Sequence, residues 1–187
     1  MSKNANFSSS SGIKIDKNKL LFFWGHTPRS NASVGKECLS QWYMSPFQVN
    51  GHKFHTAEQY MMFKKAIIFD DLLCAEKVLR SKTPEEAKKL GREVTNFDEK
   101  IWIENRFQIV VDANLHKFRS CSVLRAFLLA TDDHVLVEAS PYDKIWGIGL
   151  DAGHADSANP NKWRGLNLLG FALMDVRKKL REENLKS

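Results

Sequence analysis

Glu58 and Lys65 stand seven positions apart in HTAEQYMMFKKAIIFDD, residues 55–71. At helical pitch, seven positions return to within about 20° of the same face, two turns on. A carboxyl that can give a proton and an amine that can attack an electrophilic carbon would then share one stripe, with Met61 and Met62 between them. Lys64 points about 100° away. Such a pair, set among Met, Phe and Ile, suits a partly buried cleft. The plainer account is an exposed helix edge whose lysine lays its stem along apolar neighbours.

More acids stand in LVEASPYDKIWGIGL. Glu138 ends an expected strand, Asp143 sits in a loop, and Trp146-Gly147-Ile148-Gly149 follows. Glycines at 147 and 149 let backbone approach a phosphate or ribose, and Trp146 can stack on a base, so the segment suits a nucleotide pocket. A tight turn packed by one Trp explains it equally. In KWRGLN, Lys162, Trp163, Arg164 and Asn167 stand at the mouth of the last helix, where two cations and free amides suit a diphosphate. A capped amphipathic helix with solvated charges is the alternative there.

Several chemistries are excluded by spacing. His52 and His55 form HxxH on a hairpin, where positions i and i+3 face opposite sides, so they do not predict a metal site. Cys38, Cys74 and Cys121 are odd in number and include no CxxC pair, which supports neither a disulfide framework nor a zinc ribbon. GxGxxG opening a helix, Walker A, GxSxG and the kinase set are all absent. No metal and no cofactor are expected.

The elements that must position these residues can be read from their caps. KLLFFWG (19–25) is a short strand, 26–37 a turn-rich polar loop, and Asn50-Gly51 the turn of a hairpin. Thr56 with Gln59 and Thr83 with Glu86 have capping-box spacing, Pro84 suits a first helical position, and Gly91 suits a stop. Residues 70–81 continue as a helix. Asp98 caps a long helix, 122–130 forms another, 134–140 is a strand, and LNLLGFALMDVRKKLREEN is an amphipathic helix. Between the last two lies a loop of about 25 residues, long enough to suspect function. The expected class is α+β, predominantly helical, one domain over 19–183 with a few short strands, behind a polar leader over 1–18 that is expected to be disordered.

Of the 187 residues, 43% are hydrophobic and 27% charged, ordinary globular values. A net charge of +6 without a long basic block favours an anionic ligand but does not announce nucleic-acid binding. Neither a membrane span nor a secretory signal is expected, and the expectation is a soluble cytoplasmic protein with no obligate protein partner.

Taken together and in order, FFWG, SPFQVNGHKFHTAEQYMMFKKAIIFDD, TPEEAKKLGREV–FD–W, LLATDDHVLVEASPYDKIWGIGL and WRGLNLLGFALMDVR resemble the NADAR family of YbiA-like N-glycosidases, over about residues 20–180. The resemblance implies hydrolysis of bonds between a ribosyl anomeric carbon and nitrogen. The substrate would be ADP-ribosylated guanine, as nucleotide or in DNA, with ADP-ribose as product, or else a ribosylamine intermediate of riboflavin synthesis. The family's E-x-Y-x-x-x-x-K helix maps onto Glu58, Tyr60 and Lys65, with Lys65 the implied nucleophile. Lys64 stands where Gln is common, Gln59 where His is usual, and CLSQWYMSPF replaces a shorter segment. These departures bear on the substrate subgroup more than on the chemistry.

On this reading Lys65 forms an imine, Glu58 helps the base depart or binds a ribose hydroxyl, and Asp143 or Glu138 shuttles protons. Trp146 and Trp163 would hold adenine or the base, and Lys162, Arg164 and backbone amides the phosphate. Trp24, Tyr60, Trp102, Gly147, Gly149 and Asn167 complete the expected ligand-binding set. An ionised Glu58 close to Lys65 would raise the amine's pKa, whereas burial or a close Lys64 would lower it. A two-carboxylate hydrolysis without covalent intermediate and a non-catalytic ADP-ribose or NAD reader are the alternatives.

Overall fold

The computed structural model describes residues 19–28 and 34–185. The leader expected over 1–18 and residues 29–33 of the polar loop lie outside the described residues. Six α-helices and two small strand pairs make up the described fold, in agreement with the helix-rich α+β class.

Helix α1 (Ala57–Ile68) is the hub, packed against α2 (Leu72–Arg80), α3 (Pro84–Arg92) and α4 (Glu99–Ser120). Each of these helices starts where the sequence supplies an acceptor for a free amide. Thr56 accepts from Gln59 N, Asp71 from Cys74 N, Thr83 from Glu86 N and Asp98 from Ile101 N. The two capping-box pairs depart from the reciprocal form in the same way. Gln59 and Glu86 reach past the cap to the amide one position before it, at His55 and Lys82. Gln59 Nε2 also donates to the carbonyls of Val78 and Ser81, tying the start of α1 to the end of α2.

Strand β1 (Leu20–Phe23) pairs in parallel with β4 (Val135–Glu138), Phe23 opposite Glu138. All of α1 to α4, and α5 (Ser122–Ala130), come between them in sequence. Parallel partners need such a crossover, so the pairing is remote along the chain. Helix α6 (Leu168–Asn184) covers β4 and packs on α4 and α5. The short β2 (Phe47–Val49) and β3 (His52–Phe54) form the expected antiparallel hairpin, turned by Asn50 and Gly51 at φ of 49° and 81°. No helix among the described residues is long and apolar enough to cross a membrane.

Candidate active site

A cleft of about 960 Å³ is lined by α1, α3, the end of β1, the 40–42 segment and the loop after β4. Glu58, Met61, Met62 and Lys65 all line it, so the stripe read from helical spacing faces a common space. β4 and its following loop add Glu138, Ser140, Tyr142, Asp143 and Trp146, β1 is continued by Trp24, and α4 gives Trp102. Seven expected site residues therefore meet here: Glu58, Lys65, Glu138, Asp143, Trp24, Trp102 and Trp146.

The Lys65 amine donates to the Gly91 carbonyl at 2.6 Å, with the Phe97 ring centroid 4.3 Å away and that of Trp102 5.7 Å away. Burial lowers its pKa, and Cys74 opposes this only as a thiolate, a form that burial of the thiol disfavours. The concern over Glu58 recedes because burial raises its carboxyl toward the protonated form. Lys64 lines a separate hollow of about 230 Å³ with Asn50, His52 and Tyr60, so it is not the field source considered from sequence.

The acids have different environments. Burial pushes Glu58 up to about 7; Asp143 adds to the rise, while Lys88, a hydrogen bond with Trp42, and Arg92 oppose it. Burial pushes Glu138 up to about 8, helped by Asp143 and Glu58 and opposed by Lys88. Its Oε2 is buried and accepts no hydrogen bond from the described residues, which suits a carboxyl that keeps its proton. Asp143 Oδ1 accepts from the amides of Ile145 and Trp146 at 2.8 and 2.7 Å, which fixes its place in the loop. Two carboxyls that burial holds toward the protonated form are therefore brought together beside an amine, with Asp143 in the same lining.

The other expected residues lie outside the lining of the cleft. Tyr60 packs between Phe47 and Phe54, at centroid distances of 5.9 and 5.0 Å. A Cβ at Gly147 would come 2.8 Å from the Glu138 carbonyl oxygen, so that glycine permits a tight loop against the strand end. Gly149, at φ 66°, donates to the Asp143 carbonyl. Lys162 pairs with Asp156 at 2.7 Å, the Trp163 indole donates to Ser157 O, and Arg164 meets His154. Asn167 is fully buried and clasps β4 from below α6, with bonds to Glu138 N and Leu136 O.

Sequence reasoning missed Lys88, Arg92 and Trp42, which also line the cleft. The available signal was the four-residue spacing of Lys88 and Arg92 around Gly91, on a helix read only for its caps. Among the described residues no group of three or more His, Cys, Asp or Glu side chains is disposed to hold a metal.

The profile of the NADAR domain matches residues 22–181. The chain is 41% identical to an N-glycosidase of Acanthamoeba polyphaga mimivirus, over 91% of this chain and 99% of that protein. It is 34% identical to a riboflavin biosynthesis protein of Vibrio vulnificus, over 77% of this chain and 35% of that one. Its fold superposes on the NMR structure of the Escherichia coli protein YbiA with a TM-score of 0.73 at 28% identity, covering 92% of this chain and 91% of that chain.

Proposed function

The chain belongs to the NADAR domain family, and on that footing we propose that it is an N-glycosidase that removes ADP-ribose from ADP-ribosylated guanine, in DNA or as a nucleotide, through an imine on Lys65. One observation carries this reading. The Lys65 amine, lowered in pKa by burial, shares a cleft with Glu58 and Glu138, two carboxyls that hold protons near neutral pH.

The steps follow from those states. Once Lys65 has given up a proton, which burial favours, its nitrogen bonds to the anomeric carbon as the bond to the base breaks, and Glu58 gives its proton to the departing nitrogen. Asp143 takes the extra proton from the new ammonium, and Glu138 gives one to the ring oxygen as the sugar opens to the imine. Water adds to the imine carbon as Glu138 takes back a proton from it; Asp143 returns its proton to Nζ, and the carbon–Nζ bond breaks as the carbinol oxygen gives its proton to Glu58, which frees the sugar and the lysine. Trp24, Trp146 and Trp102 supply faces for stacking the base or adenine.

A second reading keeps the reaction and changes the substrate to a ribosylamine intermediate of riboflavin synthesis. The relative named for riboflavin biosynthesis favours it. A third keeps the substrate and omits the covalent step, with two carboxyls activating water.

One set of reactions separates all three. The protein is incubated with ADP-ribosylated guanine and with a ribosylamino-pyrimidine phosphate, with and without borohydride. A sugar adduct on Lys65 is expected, with preference for the guanine substrate above about a hundredfold, some 2.7 kcal/mol of barrier. Turnover without an adduct rejects the imine. Reversed preference assigns the riboflavin-type substrate, and binding without base release from either substrate rejects the glycosidase.

A further inference from the structure

The basic residues at 162 and 164 are taken up by Asp156 and His154. Apart from Lys65, the cations that do line the cleft are Lys88 and Arg92 on α3 and Lys144 in the loop after β4. Lys88 and Arg92 are one turn apart, about 6 Å along the helix axis. Between them lies Gly91, whose carbonyl receives the Lys65 amine at 2.6 Å. The amine is thus pinned to the stretch of α3 that carries both cations.

A preference for basic residues in the last turn of a helix accounts for cations here in general. It does not account for the placement of Lys88. Lys89 is exposed, whereas Lys88 is half-buried in the cleft with its amine 5.5 Å from the Trp42 ring centroid. Trp42 in turn hydrogen-bonds Glu58. Among the described residues, the ion pairs formed at contact distance involve neither Lys88 nor Arg92. Two cations facing a cleft without a contacting carboxylate present a site for an anion.

We propose that Lys88 and Arg92 form a phosphate subsite beside Lys65, which selects ribosyl substrates phosphorylated on the same sugar that reacts. The identity of the ligand rests on the N-glycosidase reading; the anion subsite itself does not. A 5′-phosphate lies a few bonds from the anomeric carbon, a reach that suits an amine seated against Gly91. The guanidinium of Arg92 can meet two phosphate oxygens at once, and Lys88 acts as a point charge. Both candidate substrates carry this phosphate, so the subsite accommodates either.

Pyrophosphate is the probe, titrated into the full chain and followed by calorimetry and Trp fluorescence. Binding is expected to weaken with salt. Lys88→Met and Arg92→Met should each weaken it at least about fivefold, the loss of a charge-assisted hydrogen bond, while Lys162→Met leaves it unchanged. Chemical-shift mapping of the unaltered protein guards against misfolded variants, with shifts expected at residues 88–92 and the Trp42 indole. Unchanged affinity in the Lys88→Met, Arg92→Met double variant overturns the subsite, as do shifts confined to residues 160–164 or to Lys144. The glycosidase reading is judged separately, by base release from the two substrates above. If base is released, the double variant should lower kcat/KM at least about tenfold, some 1.4 kcal/mol, for the 5′-phosphorylated substrate and not for its unphosphorylated counterpart.

Discussion

Asn167 holds the end of β4 beneath Glu138: its Oδ1 accepts the Glu138 amide at 2.9 Å and its Nδ2 donates to the Leu136 carbonyl at 2.9 Å. Asn167 reaches them from a left-handed backbone, at φ 53°. Asn167→Ala removes two buried hydrogen bonds and leaves an alanine in a conformation that Asn tolerates better. A loss of about 3 kcal/mol in urea unfolding is expected. Asn167→Gly frees the backbone but not the bonds, so it should lose less, about 2 kcal/mol. Equal losses would mean that the backbone conformation contributes nothing.

Two glycines set the spacing of layers, and they should differ in cost. A Cβ at Gly170 would lie 2.0 Å from the Leu136 carbonyl oxygen, part of a strand that cannot yield. A Cβ at Gly91 would lie 2.0 Å from the Met62 sulfur, the far part of a flexible side chain. Gly170→Ala should therefore destabilise by about 3 kcal/mol or more, and Gly91→Ala by about 1 kcal/mol. Adding Met62→Ala should recover part of the Gly91→Ala loss, a coupling that a double-mutant cycle measures.

The helices were legible because their signals are local. Thr56, Thr83 and Asp98 each cap within three positions, and Asn50-Gly51 makes its own turn. The Glu58–Lys65 stripe was legible for the same reason, since helix geometry alone puts both on one face. The pairing of β1 with β4 was not, because neither strand carries a mark of a partner so far along the chain. The basic residues show the limit most clearly. Lys162 and Arg164 have the composition of a phosphate site, yet neighbours within ten residues engage both. Lys88 looks like one solvated charge among several, and only the packing of α3 on α1 turns it into the cleft.

The proton states of the cleft predict how activity depends on pH. Transfer of a proton to the leaving base needs a protonated acid, and Glu58 sits at about 7. The kcat/KM profile should fall as pH rises past that value. Glu58→Gln should lower activity about a hundredfold, the usual scale for a general acid, and remove that falling limb. Lys65→Met should lower it by about a thousandfold, some 4 kcal/mol, and abolish borohydride trapping. A falling limb unchanged in Glu58→Gln would assign it to Glu138.

Stability should respond to pH through the same carboxyls and through Lys117. Glu58 and Glu138 are raised from 4.5 to about 7 and about 8, so the native state keeps protons that the unfolded chain loses. Their contribution is full below pH 4.5 and is lost as pH rises through 7 and 8. Lys117 is fully buried, with its amine donating to Ser40 O at 2.7 Å, and burial lowers it from 10.5 to about 7. Here the unfolded chain holds the extra proton, so this contribution grows as pH rises above 7. Cys38, pushed by burial up to about 12, works against it above pH 9. Urea midpoints should therefore be higher at pH 5 and pH 9 than at pH 7 to 8. Glu58→Gln with Glu138→Gln should flatten the acid side, where each carboxyl is worth on the order of 3 kcal/mol. Lys117→Met should flatten the alkaline side alone. A midpoint that stays level from pH 5 to 9 in the unaltered protein would mean that these groups are ionised as in water, and the protonated acid required of Glu58 would be lost with them.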